Sequence, residues 1–144
     1  MNHGVEIDFV VSDCLEALKQ YEQIFELERI EVTNLPKGQN EVVFEIYGTR
    51  FHMLDENPEF HLVAPEEGQP VTMWVNVTVP DIKSTFEAAV RAGCEVVQEV
   101  VEIPNYGVSN ASFMDSYGYH WMLHQVHRIV GLEERIQLWE NQEK

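Results

Sequence analysis

The sequence predicts an α+β fold made of two βαβββ repeats that form a curved mixed sheet around a cup, followed by a C-terminal helix. Three observations predict it. Two stretches alternate apolar and polar residues as half-buried strands do, VEIDFVV at 5–11 and WVNVTV at 74–79. Each runs into an aspartate, Asp13 or Asp81, that opens a segment of helical periodicity. The two aspartates stand 68 residues apart, and the glycines before the last strand of each half, Gly48 and Gly118, stand 70 apart, so the halves superpose with little insertion.

In the first repeat, about 4–56, the opening strand leads into CLEALKQYEQIFEL, where Leu15, Leu18, Tyr21, Ile24 and Phe25 recur at helical spacing behind an N-cap at Ser12 or Asp13. Strands are expected at 28–33, 41–47 and 50–54. The segment 55–71, rich in Glu, Pro and Gly, is the expected linker, with freedom to move over the cup. In the second repeat, about 72–127, Ile82, Phe86, Ala89 and Val90 form one stripe between the N-cap Asp81 and the stop at Gly93. Strands are expected at about 95–101, 110–114 and 119–126. The tail, about 128–144, places Leu132, Ile136 and Trp139 on one helical face, which implies a helix docked on the body, with a dimer contact as the alternative.

At 144 residues the chain is expected to form a single domain, 1–144, with one substantial core. A composition 44% hydrophobic and 24% charged argues against a disordered chain. The formal charge of −16 repels phosphate backbones and anionic membrane surfaces, so nucleic acid and membrane are not expected partners; the same field concentrates cations. Cys14 and Cys94 stand alone and read as reduced packing residues, although Cys14 lies at a helix start, where a thiolate would be stabilised. Residues Met1 to Asp8 carry no basic segment followed by an apolar core, and no apolar run approaches the ~20 residues that span a bilayer, so a cytoplasmic location is expected. No Ser-His-Asp order, Gly-rich phosphate loop, CxxC pair or HExxH helix is present.

Four stretches carry a family resemblance: the helix entry DCLEALKQYEQIF, the linker start MLDEN, the stretch PNYGVSNASFMD and the ending DSYGYHWMLHQ. In this order and spacing the chain resembles the vicinal oxygen chelate superfamily of glyoxalases, bleomycin-resistance proteins and extradiol dioxygenases, and within it the PhnB-like group. Ser116 stands where that pattern usually has proline, and Tyr106 where PhnB-like members often have tryptophan. Members with metal-assisted chemistry supply a His or Glu from the first and last strand of each repeat, and the aligned positions here are Glu6, His52, Trp74 and Met122. Only Glu6 and His52 fit a divalent ion, since Trp74 cannot ligate and a thioether is a poor ligand for a hard ion. The resemblance also implies a homodimer.

Strand alternation sorts the side chains further. Val5, Ile7, Phe9 and Val11 are expected to face the helix, as are Phe51 and Met53, Val75, Val77 and Val79, and Trp121 and Leu123. The opposite face then lines the cup with Glu6, Asp8 and Val10, with Arg50, His52 and Leu54, with Trp74, Asn76 and Thr78, and with His120, Met122 and His124. Glu6 and Asp8 are expected to pair with Arg50 or a histidine, or to await a cationic ligand. Trp74 offers a face for an aromatic or cationic ligand, Asn76 and His52 can orient a polar group, and Tyr106, Tyr117 and Tyr119 are expected at the mouth.

The expected function is therefore binding of a small organic ligand, cationic or aromatic, with no cofactor required. The alternative is a metal-dependent lyase, isomerase or dioxygenase using Glu6 and His52 with a recruited His120 or His124. A further alternative is a non-catalytic dimeric interaction protein whose cup is filled by its own side chains.

Overall fold

The computed structural model describes residues 3–142, so residues 1–2 and the last two of the predicted tail lie outside the described residues. The first module contains β1 (Asp8–Val11), α1 (Cys14–Ile24), β2 (Leu27–Val32), β3 (Glu41–Ile46) and β4 (Thr49–Asp55). The second repeats that order with β5 (Trp74–Thr78), α2 (Ile82–Arg91), β6 (Glu95–Ile103), β7 (Val108–Met114) and β8 (His120–Val126), and α3 (Leu132–Gln142) follows. The strands close into two four-stranded sheets, ordered β1-β4-β3-β2 and β5-β8-β7-β6. In each, the first strand runs parallel to the last and the remaining pairings are antiparallel. The α+β class, the repeated βαβββ order and the C-terminal helix are thus present.

The two helices start alike. Asp13 accepts from the Glu16 N–H and Asp81 from the Ser84 N–H, both at 3.2 Å, satisfying donors that have no partner inside a helix. A side chain from the last strand of the same module holds the first backbone N–H: Asp55 Oδ1 accepts from Cys14 at 2.8 Å, and Gln125 Oε1 accepts from Ile82 at 3.0 Å. The turn between β7 and β8 requires a glycine. Gly118 has φ +94°, and a Cβ there would lie 2.7 Å from Pro65 of the linker, which packs against this turn.

One continuous core joins the modules. Phe9, Val11, Phe44 and Met53 from the first sheet and Val77, Phe113, Trp121 and Leu123 from the second all point into it, with α1 and α2 alongside. Tyr21 of α1 lies 5.0 Å from Trp121 and Phe9 lies 5.2 Å from Tyr119, ring centre to ring centre. Buried Asp115 ties the junction, accepting from the Tyr21 hydroxyl at 2.6 Å, the Trp121 indole at 2.9 Å and the backbone of Tyr117 and Tyr119. Ser116, at the position usually proline, exchanges hydrogen bonds with the Gln20 side chain, which also donates to Ala92 O.

Three expectations are corrected. Val5 and Ile7 do not face the helix; they precede the first paired residue, Asp8, and are 92% and 63% exposed. Tyr119 does not stand at a cup mouth, because its ring is buried in the core and its hydroxyl donates to Val10 O at 2.7 Å. Helix α3 is not docked on the body: none of its described residues is buried, and Leu132, Ile136 and Trp139 are all exposed. No helix of the described residues is long and apolar enough to cross a membrane.

Candidate functional site

Because the helix faces of both sheets meet in the core, the opposite faces lie on the outside of the molecule. The first module presents Glu6, Asp8, Arg50 and His52 together with Glu41 from β3. The register explains the grouping: Asp8 is paired with His52 across β1 and β4, and His52 with Val43 across β4 and β3, so residues two apart on β3 flank the imidazole.

His52 is the centre of this group. Its Nδ1 lies 2.6 Å from Glu6 Oε1 and 3.3 Å from Asp8 Oδ1, and its Nε2 lies 3.5 Å from Glu41 Oε2. A carboxylate only accepts, so Nδ1 carries a proton and donates to Glu6. Nε2 is buried, with no hydrogen-bond partner among the described residues. Burial opposes charging of the ring, but the Glu6 hydrogen bond and the charges of Asp8, Glu6 and Glu41 outweigh it and hold the His52 pKa above its ordinary value. The hydrogen bond from His52, with a smaller contribution from Asp8, lowers the pKa of Glu6. Burial and the neighbouring Glu6 raise that of Asp8. Arg50 Nε stands 3.8 Å from Glu6 Oε2 and offsets part of the negative charge.

The second module presents Trp74, Asn76, His120, Met122 and His124. Trp74, His120 and Met114 form one cross-strand row over β5, β8 and β7, and Asn76, Met122 and Ser112 form the next. The Trp74 and His120 rings meet edge to face at 5.4 Å. His124 Nδ1 is bonded to Asn110 Oδ1 at 2.6 Å, and burial lowers the His124 pKa. This face carries no carboxylate among the residues of those rows.

The structure therefore divides the predicted cup residues between two open faces, and no hydrogen bond or ion pair among the described residues links the two groups. His120 and His124 stand on the other sheet from Glu6 and His52. The sequence reading missed Glu41 and Met114. Alternation puts both on the open face, since Glu41 opens β3 beside buried Val42 and Met114 follows buried Phe113, but only the pairing of β3 with β4 and of β7 with β8 brings them beside His52 and His120. The cysteines behave as packing residues: both are buried, burial raises the Cys14 pKa far above the usual thiol range, and that of Cys94 is pushed up to about 12.

Glu6, Asp8 and His52 each offer one ligand atom, all within 4.8 Å of one another. These three fit a divalent ion through two oxygens and one nitrogen, whereas the equivalent positions of the second module, Trp74, Asn76 and Met122, offer neither carboxylate nor imidazole and only the neutral amide oxygen of Asn76.

Uncharacterized proteins of Mycobacterium bovis and Mycobacterium tuberculosis are 28% identical to the chain over an alignment of 133 residues that covers 87% of this chain and 84% and 75% of those relatives. Among solved structures, a mutant of the fosfomycin resistance protein FosX from Listeria monocytogenes, complexed with Mn(II) and 1S,2S-dihydroxypropylphosphonic acid, superposes with TM-score 0.67 at 18% identity over 96% of this chain and 99% of that one. A PhnB protein from Bacillus cereus superposes with TM-score 0.63 at 15% identity over 86% of this chain and all of that one. Residues 3–123 match the family model for the Glyoxalase/Bleomycin resistance protein/Dioxygenase superfamily, and the chain belongs to that superfamily.

Proposed function

We propose that the protein binds a small organic cation in the cytoplasm, on the open face of its first module, without requiring a metal. The observation that carries this reading is the convergence of Glu6, Asp8 and Glu41 on His52 within 2.6 to 3.5 Å. Three carboxylates answered by one arginine and one titratable ring leave net negative charge, and the chain's charge of −16 draws cations toward it. Protonated His52 competes with the ligand. Raising the pH through its elevated pKa removes that positive charge, so cation affinity rises. A second copy belongs to this reading: β1 and β5 each leave one edge unpaired, and a homodimer that sets β1 of one copy beside β5 of the other turns two open faces into one cup.

A second reading is favoured by the clustering of Glu6, Asp8 and His52: a divalent ion held by the same side chains, supplying Lewis-acid chemistry when bound. One experiment separates the two. Metal-free protein is titrated with agmatine, an aliphatic dication, with 1,4-butanediol as the neutral control, and in parallel with Mn²⁺ and Zn²⁺, while the His52 ring is followed by NMR. Agmatine that shifts the His52 signals, binds tighter at higher pH and loses affinity in Glu6→Gln supports the leading reading. Near-stoichiometric metal lost in Glu6→Ala or His52→Ala supports the second, and silence from all probes defeats both.

A further inference from the structure

We infer that α3 of one copy docks into a groove between α2 and β6 of a second copy, in a reciprocal exchange. Helix α3 is amphipathic and uncovered: Leu132, Ile136 and Trp139 form one stripe and are 63%, 47% and 60% exposed. A helix of 11 residues is marginal in water by itself and draws its stability from packing an apolar face. Its first turn is tethered instead through Arg128, which stands 3.7 Å from Glu134 and donates to the carbonyl oxygens of Pro104 and Asn105, and the stripe stays exposed.

The groove matches the helix in shape and charge. It measures about 470 Å³, with an apolar lining of Phe86 and Val90 from α2 and Val96 and Val100 from β6. Lys83 and Arg91 stand on its α2 side and Glu99 on its β6 side, and none of the three has an ion-pair partner among the described residues. On α3, Glu133 and Glu140 flank the stripe on one side and Arg135 on the other. At the rise of an α-helix Glu133 and Glu140 are about 10 Å apart and Lys83 and Arg91 about 12 Å, so α3 laid along α2 sets two carboxylates on two cations and turns Arg135 toward Glu99. Glu87, between the two cations, is the one like charge that the acidic side of α3 meets there. The groove accepts a helix rather than an added strand, because the register of β6 breaks between Val96 and Gln98 and again between Gln98 and Val101, interrupting the edge that a strand would pair with. In its sheet β6 lies at the opposite end from β5, so the exchange leaves the edges that close the cup untouched. Each chain has one such helix and one such groove, both uncovered, and a two-fold exchange fills both. The patch is small, so association is weak and α3 stays undocked in dilute samples.

The test is sedimentation velocity of the full chain from about 5 to 200 µM. The wild type is expected to show an association step that doubles the mass of the particle and that Ile136→Glu lacks. Lys83→Glu combined with Arg91→Glu should weaken the step about tenfold, as two exposed ion pairs become repulsions. Adding Glu133→Lys and Glu140→Lys to that protein should restore the step to within threefold of the wild type. All five positions are exposed, so each variant should melt with the wild type in dilute solution. The inference is overturned by a step that persists in Ile136→Glu or by a charge exchange that fails to restore it. A mass that stays constant with concentration also overturns it, and an NMR contact between Trp139 and Val90 in that case would show the helix folding back on its own chain.

Discussion

The two modules repeat one backbone but present opposite chemistry on their open faces. At equivalent positions Glu6 is answered by Trp74, Asp8 by Asn76, His52 by Met122 and Glu45 by Met114. On the core side they agree, with Phe9 and Met53 answered by Val77 and Leu123, all buried. On the core side a charge must be hydrogen-bonded, as Asp55 and Asp115 are, and apolar side chains dominate. The open side carries no such constraint, and there one module gathers carboxylates around an imidazole while the other gathers an indole, thioethers and histidines. The helix starts differ in the same way: Asp55 accepts from three backbone N–H groups, those of Cys14, Gly38 and Asn40, whereas Gln125 accepts from Ile82 alone.

The comparison breaks most readily at the core that joins the modules. Trp121→Ala removes the ring that meets Tyr21 and Phe25 across the junction, and urea unfolding should show a loss of about 4 kcal/mol. A stability loss well below that, with one unchanged transition, would show that this ring is not what couples the modules. Next in size, Asp55→Ala leaves three buried or half-buried donors without an acceptor and should cost about 3 kcal/mol, against about 1 kcal/mol for Gln125→Ala. Equal losses would refute the asymmetry of the two helix starts. Burial works against the Asp55 carboxylate, but its backbone hydrogen bonds win and lower its pKa. Its stabilisation is therefore present above the ordinary carboxylate pKa and disappears as pH falls through the lowered one, so Asp55→Asn should flatten the acid limb of a stability-versus-pH curve.

The histidines sharpen the contrast. An NMR titration of Glu6→Gln should show the His52 pKa falling, as a hydrogen bond and a nearby charge are lost, while that of His124, set by burial on the other sheet, stays put. In the wild type, the elevated His52 pKa contributes stability that is complete below the unfolded-state value and lost as pH rises through the folded-state one. The smallest effect is expected from truncation after Gly131: because none of the described residues of α3 is buried, thermal melts should register less than about 0.5 kcal/mol.

The periodicity of the sequence determined the elements to within a few residues, as well as the repeat and the side of each strand that turns to the core, because alternation and helical spacing are written in local order. Alternation also put Glu6, Asp8, Arg50 and His52, and Trp74, His120 and Met122, on the strand faces turned away from the helices, all of them in one expected cup. Val5 and Ile7 escaped that reading because alternation shows which way a strand would face, not where its pairing begins. Glu41 and Met114 escaped because they come from third strands, whose side chains join the site only once the sheets form. What the tertiary structure alone decided is that the two faces look outward from a common core, so that the cup expected within one chain is two separate half-sites: amphipathic sheets bury whichever faces meet, and which faces meet is fixed by long-range packing of Trp121, Tyr21 and Phe9 that local sequence order does not encode.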